Sequence, residues 1–215
     1  MAFNREKYQE IQEFIEKSNS VAKIIAISKN QDQQKVLQAI NSGVRIFGEN
    51  RVQEAIKKFK TYKETINDLE LHLTGPLQTN KVKDALKLFD TFHVLDRKKL
   101  ADEFFKHQTM LNNKKFFVQV NIGMEQSKSG IPPKDCNEFV SYCINKLRLN
   151  VVGLMCLPPQ KQDPTKYFKQ LQSFANENNL QELSMGMSDD FDKAIKCGAT
   201  YIRVGTLLFG DRKND

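Results

Sequence analysis

The sequence contains no tryptophan, and only six prolines and ten glycines among its 215 residues. That scarcity excludes collagen-like and low-complexity chains, which draw heavily on Pro and Gly. No apolar run approaches the roughly 20 residues of a membrane span, so no membrane partner is expected. The four cysteines, Cys136, Cys143, Cys156 and Cys197, form no CxxC pair and take no zinc-like spacing with the three histidines. This excludes a disulfide scaffold or a zinc centre and predicts free thiols in a reducing cytoplasm. The opening "MAFNREKYQEIQEFIEKSNS" is interrupted by acidic residues, unlike a secretory signal. Phe3, Ile11, Phe14 and Ile15 fit one stripe of an amphipathic helix instead.

Acidic residues are the minority charge: 33 Lys and Arg against 26 Asp and Glu give a net charge of +7 and a pI near 9.1. The lysines are spread along the chain and no nucleic-acid module is present, so no nucleic-acid partner is expected. A generally basic surface with some local use for phosphate is the better reading. Heptads and large uninterrupted apolar patches are also missing, which predicts a monomer.

What is present is alternation. Strand-like runs recur at 23–28 (KIIAIS), 45–49 (RIFGE), 69–75 (LELHLTG), 91–96 (TFHVLD), 115–122 (KFFVQVNI), 151–157 (VVGLMCL), 180–186 (LQELSMG) and 201–210 (YIRVGTLLFG). Between them lie amphipathic segments, such as that of Val36, Leu37 and Ile40, or of Phe168, Leu171, Phe174 and Ala175. Eight βα units in one α/β domain spanning 1–215 predict a (β/α)8 TIM barrel. A doubly wound open sheet is the alternative. It would often carry a Gly-rich phosphate turn after an early strand, and "SKNQDQQ" holds no glycine.

Barrels gather function where strands end. There this chain places Lys29, Glu49, Asn50, the His72–Gly75 stretch, Asp96, Arg97, Asn121, Met155, "SMGMS" and "RVGT". Alternation along the first strand puts Lys29 with Ile25 and Ile27, facing inward. In the last strand it groups Arg203 with Tyr201 and Gly205. A buried guanidinium needs a partner, either a core carboxylate such as Glu49 or a polar ligand atom. The loops after strands seven and eight offer Ser184, Gly186, Gly205 and Thr206 to a phosphate. Ser188, in "SDDF", reads as a helix N-cap, and Gly198 as a helix end. A lysine, an arginine and a phosphate cradle fit a site for pyridoxal 5′-phosphate (PLP). A sugar-phosphate aldolase using a Schiff-base lysine has similar parts, and spacing alone does not separate the two.

Longer segments do separate them. "AISK" (26–29), "FGEN" (47–50), "VQEA" (52–55), "HLTGPLQTNK" (72–81), "EQSKSG" (125–130), "GLMCLP" (153–158), "LSMGMSDDFDKAI" (183–195) and "GATYIRVGTLLFG" (198–210) stand in order along nearly the whole chain. Together they resemble the pyridoxal phosphate homeostasis protein family, single-domain relatives of the alanine racemase barrel. The resemblance implies PLP as cofactor, with Lys29 as its imine lysine. It also implies that Ser184, Met185 and Gly186, with Gly205 and Thr206, hold the phosphate. Arg203 would face the pyridine nitrogen, and Asn50 and His72 would stand in the cavity wall. A packed, locally hydrogen-bonded role is the other reading of His72. The chain departs from the family at Leu71, Asn30 and Cys156, where Trp, Thr and a small or hydroxyl residue are usual.

The implied role is in vitamin B6 homeostasis, as a PLP carrier or buffer without strong catalysis, with apo PLP enzymes as possible acceptors. The alternative is a racemase-like enzyme acting on amino acids. Racemization needs acid/base groups on both faces of the bound substrate. The "DRKND" after Gly210 is too short for the second domain that supplies one of them in the racemases. Lys128, in the loop after the fifth strand and bracketed by Gly123 and Gly130, is read either as a solvated lysine or as a second PLP lysine on a mobile loop, passing the cofactor on.

Overall fold

The computed structural model describes residues 2–210. Its strands are β1 (Lys23–Ile27), β2 (Ile46–Glu49), β3 (Glu70–Leu73), β4 (Thr91–Leu95), β5 (Lys115–Val120), β6 (Val151–Cys156), β7 (Glu182–Met187) and β8 (Tyr201–Val204). All neighbours pair in parallel and β8 returns to β1, which closes the barrel. Helices α1 (Arg5–Lys17), α2 (Gln33–Asn41), α3 (Val52–Thr65), α4 (Val82–Leu88), α5 (Lys98–Phe105), α6 (Cys136–Ser141), α7 (Thr165–Glu177), α8 (Phe191–Lys196) and α9 (Thr206–Phe209) surround it. The chain is thus the single (β/α)8 barrel that its alternation predicts.

Strand parity divides the core in two. Ile24, Ala26, Ile202 and Val204 point out and pack against the helices. Ile25, Phe117, Met155 and Tyr201 fill the barrel itself. Of the N-terminal stripe, Ile11, Phe14 and Ile15 lie in α1, whereas Phe3 precedes its cap. Asn4 caps α1 by accepting from the Lys7 N–H, and Ile11 and Ile15 are buried.

The last apolar run is not one strand. β8 stops at Val204, and Thr206–Phe209 coils into α9. Leu208 and Phe209 are buried there, with the Phe209 ring 5.5 Å from that of Phe3. A short continuous apolar run signals burial but not period, so strand and helix look alike in it. All four cysteines are buried free thiols. Burial pushes those of Cys136, Cys143 and Cys156 up to about 12, which leaves them unreactive. Among the described residues no helix is long and apolar enough to cross a membrane.

Candidate functional site

The chain leaves β1 through a tight turn. The Gln31 N–H donates to the Ser28 carbonyl at 3.1 Å, and Asn30 takes a left-handed φ of 58°. Asparagine tolerates that region with less strain than threonine, whose branched β-carbon crowds it. The departure at Asn30 therefore suits the turn. Lys29 sits in this turn, half-buried, facing a cavity of about 340 Å³. Asn50, Arg203, Gly205 and Thr206 line the same cavity. So do Thr74, Met187 and Ser188, from strand-end segments that the sequence points to without assigning them to the cofactor, and Gln160 and Asp189, which it does not mark. Parity carries a signal for Thr74, since inward-facing His72 in β3 is followed two residues later by Thr74.

Asn50 is held at the rim. The Thr74 hydroxyl donates to its Oδ1 at 3.0 Å. Gly75 makes this possible, because a β-carbon there would stand 2.5 Å from that of Asn50.

Arg203 is 5% exposed and points inward. It donates to Ser184 Oγ at 2.7 Å and to the Cys156 carbonyl at 2.8 Å. Among the described residues no carboxylate forms an ion pair with it. Burial draws its pKa down from the usual guanidinium value. Glu49 is not its partner. Gly48 takes the inward position in β2, so Glu49 faces α3 and pairs with Lys58 at 2.7 Å.

The phosphate candidates divide. Gly205 and Thr206 line the cavity, whereas Ser184, Met185 and Gly186 do not. Ser184 is fully buried below it, as an acceptor for Arg203. Met185 packs outward among the core side chains. Gly186, at φ 90°, seats α8: a β-carbon there would lie 2.5 Å from that of Ala194. Ser188 lines the cavity and is not the helix cap. Asp190 precedes α8, and its Oδ1 accepts from the Met187 N–H at 2.6 Å. A register irregularity between Ser184 and Met187 shifts which residues reach the rim.

His72 lies deeper in the barrel and does not line the cavity. Its Nδ1 is 2.9 Å from His93 Nε2, and its Nε2 is 3.4 Å from Glu70 Oε2. A carboxylate only accepts, so His72 Nε2 carries the hydrogen and its Nδ1 accepts from His93. That leaves His93 Nδ1 as a buried lone pair without a donor among the described residues. His93 stacks on Phe117 at 4.3 Å. Burial lowers the pKa of His72, and lowers that of His93 well below its ordinary value, with the His72 and Arg203 charges adding to the latter. Both rings are neutral at pH 7. This is the packed, hydrogen-bonded reading of His72.

Lys128 is not on a loose loop. Its ammonium contacts Glu125 Oε2 at 2.5 Å and donates to the carbonyls of Pro158 at 2.9 Å and Leu157 at 3.3 Å. Gly123 and Gly130 sit where other groups approach closely. A β-carbon at Gly123 would stand 2.4 Å from Pro159 Cγ, and one at Gly130 would stand 2.5 Å from the Asn121 nitrogen. Asn121 staples the loop from inside, donating to the carbonyls of Glu125 and Lys128.

A parallel barrel with a lysine just past its first strand and an arginine in its last, both lining one cavity, places the chain in the class of alanine racemase-like barrels. The family model described as alanine racemase, N-terminal domain, matches residues 4–213. The pyridoxal phosphate homeostasis protein of Aquifex aeolicus is 39% identical, over 97% of this chain and 95% of that protein. That of Escherichia coli K12 is 34% identical, over 88% of this chain and 85% of its own length. The structure of PipY from Synechococcus elongatus with PLP bound superposes with a TM-score of 0.85 at 34% identity, covering 96% of this chain and 99% of PipY. The chain belongs to the pyridoxal phosphate homeostasis protein family.

Proposed function

We propose that this protein holds PLP in the cavity at the C-terminal mouth of the barrel, through Lys29, and serves the intracellular vitamin B6 pool as a carrier or buffer. The observation that carries the reading is the convergence of Lys29, Arg203, Ser188, Gly205 and Thr206 on one cavity of about 340 Å³. That volume suits a small ligand. The donor set suits PLP: two hydroxyls and the Gly205–Thr206 backbone for a phosphate, and an amine for an aldehyde. The PLP-bound PipY, at 34% identity, supports the same assignment.

When bound, PLP supplies an aldehyde carbon to which a neutral amine adds, the carbonyl oxygen leaving as water as a C=N bond forms. Lys29 contributes that amine from a turn at the end of β1. Ser188 and Thr206 orient the phosphate from the ends of β7 and β8. Arg203 brings a permanent positive charge to the ring. A carboxylate there would favour a protonated ring nitrogen and a strong electron sink, and a guanidinium does the reverse. Holding the cofactor without strong turnover follows from that choice. The setting is the cytoplasm and the protein a monomer. Apo enzymes that need PLP are the acceptors we assign.

Lys29→Ala is the direct test. The purified variant should keep its circular dichroism and lose the visible absorption that wild type acquires with PLP. A folded variant with the unchanged, borohydride-reducible band would overturn the assignment.

A further inference from the structure

Behind the Lys29 turn lies a charged cluster outside the cavity. Lys58, within α3, is buried, with 7% of its surface exposed. Its ammonium donates to the Ser28 carbonyl at 2.7 Å, to Glu49 Oε1 at 2.7 Å and to Glu54 Oε1 at 2.9 Å. Its three N–H groups are thereby all used. Ser28 Oγ donates to the same Glu49 oxygen at 2.6 Å. The Asn30 N–H donates to Glu54 Oε1 at 2.7 Å. These bonds fall on residues 28 and 30, the two neighbours of Lys29.

The arrangement is costly. Glu49 is fully buried, and its Oε2 has no donor among the described residues. A buried ion pair seldom stabilises a fold more than apolar side chains of the same volume. Apolar residues packed under α3 would hold the barrel as well. They would not fix a carbonyl, a hydroxyl and an amide N–H on either side of one lysine.

We propose that Lys58, Glu49 and Glu54 are positioning residues for Lys29, locking the backbone on both sides so that its amine is aimed before the ligand arrives. The inference rests on the proposed function and deepens it. A left-handed residue in an untethered turn samples other conformations, and each one misdirects the side chain. The cluster therefore acts on covalent capture at Lys29 more than on holding the phosphate, which falls to other loops.

The experiment measures two quantities on the whole protein. One is the rate of borohydride-trapped PLP labelling of Lys29 at saturating PLP. The other is the affinity for pyridoxine 5′-phosphate, which has the phosphate and ring but no aldehyde. Glu54→Ala should slow capture about tenfold or more and leave pyridoxine phosphate affinity within about twofold. Glu54→Gln keeps an acceptor oxygen and should recover most of the rate. Lys58→Met should be slower still, and if it does not fold the Glu54 pair decides alone. Capture at the wild-type rate in folded Glu54→Ala would overturn the positioning role, as would equal losses for both ligands. If wild type itself places no label on Lys29, the proposed function fails instead, so the two failures are distinct.

Discussion

Ser188 follows β7 and Thr206 follows β8, so hydroxyls from adjacent strand ends reach one cavity. Ser184 stands below them and serves Arg203. These placements separate two effects. Thr206→Val keeps the shape and removes a donor. PLP binding should weaken by about 1–3 kcal/mol, while binding of pyridoxal, which lacks the phosphate, should barely change. Ser184→Ala should weaken both ligands alike, because it loosens Arg203 and not the phosphate. Calorimetric titration with the two ligands checks this, and equal losses in Thr206→Val would remove that residue from the phosphate site. At this scale the sequence was partly legible. Alternation aimed Lys29 and Arg203 inward, but it says nothing of depth along the barrel. It could not distinguish Ser184, buried, from Ser188, at the rim. Nor could it show the irregularity in β7 that separates them. The outward aim of Glu49, by contrast, was written in the same alternation that places Gly48 inward.

The strands were the most legible elements, because each is a short apolar run bounded by polar turns. The ending of β8 was not, since "TLLF" is as apolar in helix α9 as it would be in a strand. The glycines of the Lys128 loop are ambiguous for a related reason. Two glycines suggest mobility in a sequence, yet here each lets another backbone or ring approach. Gly75, just past β3, is the same device against Asn50, just past β2. Gly75→Ala would put a β-carbon 2.5 Å from the Asn50 β-carbon and 2.7 Å from its Cα. Backbone must then shift, and the protein should lose about 1–3 kcal/mol of stability in urea unfolding. Asn50 should also leave the Thr74 hydroxyl. An unchanged midpoint would mean that the rim yields freely.

For the whole molecule, the buried His72–His93 pair ties stability to pH. Both folded pKa values lie below the unfolded value of about 6.5, chiefly through burial. Groups depressed in this way contribute stability that is present above about pH 6.5 and lost as pH falls below it, at up to about 1.4 kcal/mol per pH unit each. Glu49, Asp96, Glu182 and Asp190 have raised values through burial, so they act in the opposite sense, favouring the fold as they protonate. His93→Gln isolates the histidine contribution, since it keeps an N–H donor for His72 and removes a titrating ring. Between about pH 8 and pH 5, wild type should lose more urea stability than the variant. Parallel profiles would contradict the neutral-pair assignment.

The central claim is that one lysine, placed by a turn at the mouth of β1, captures PLP. Borohydride reduction of the PLP-loaded protein, followed by digestion and mass mapping, tests it most directly. The pyridoxyl mass is expected on the peptide carrying Lys29, with none on the tethered Lys128. Label spread over surface lysines, or found on another lysine with Lys29 unmodified, would contradict it.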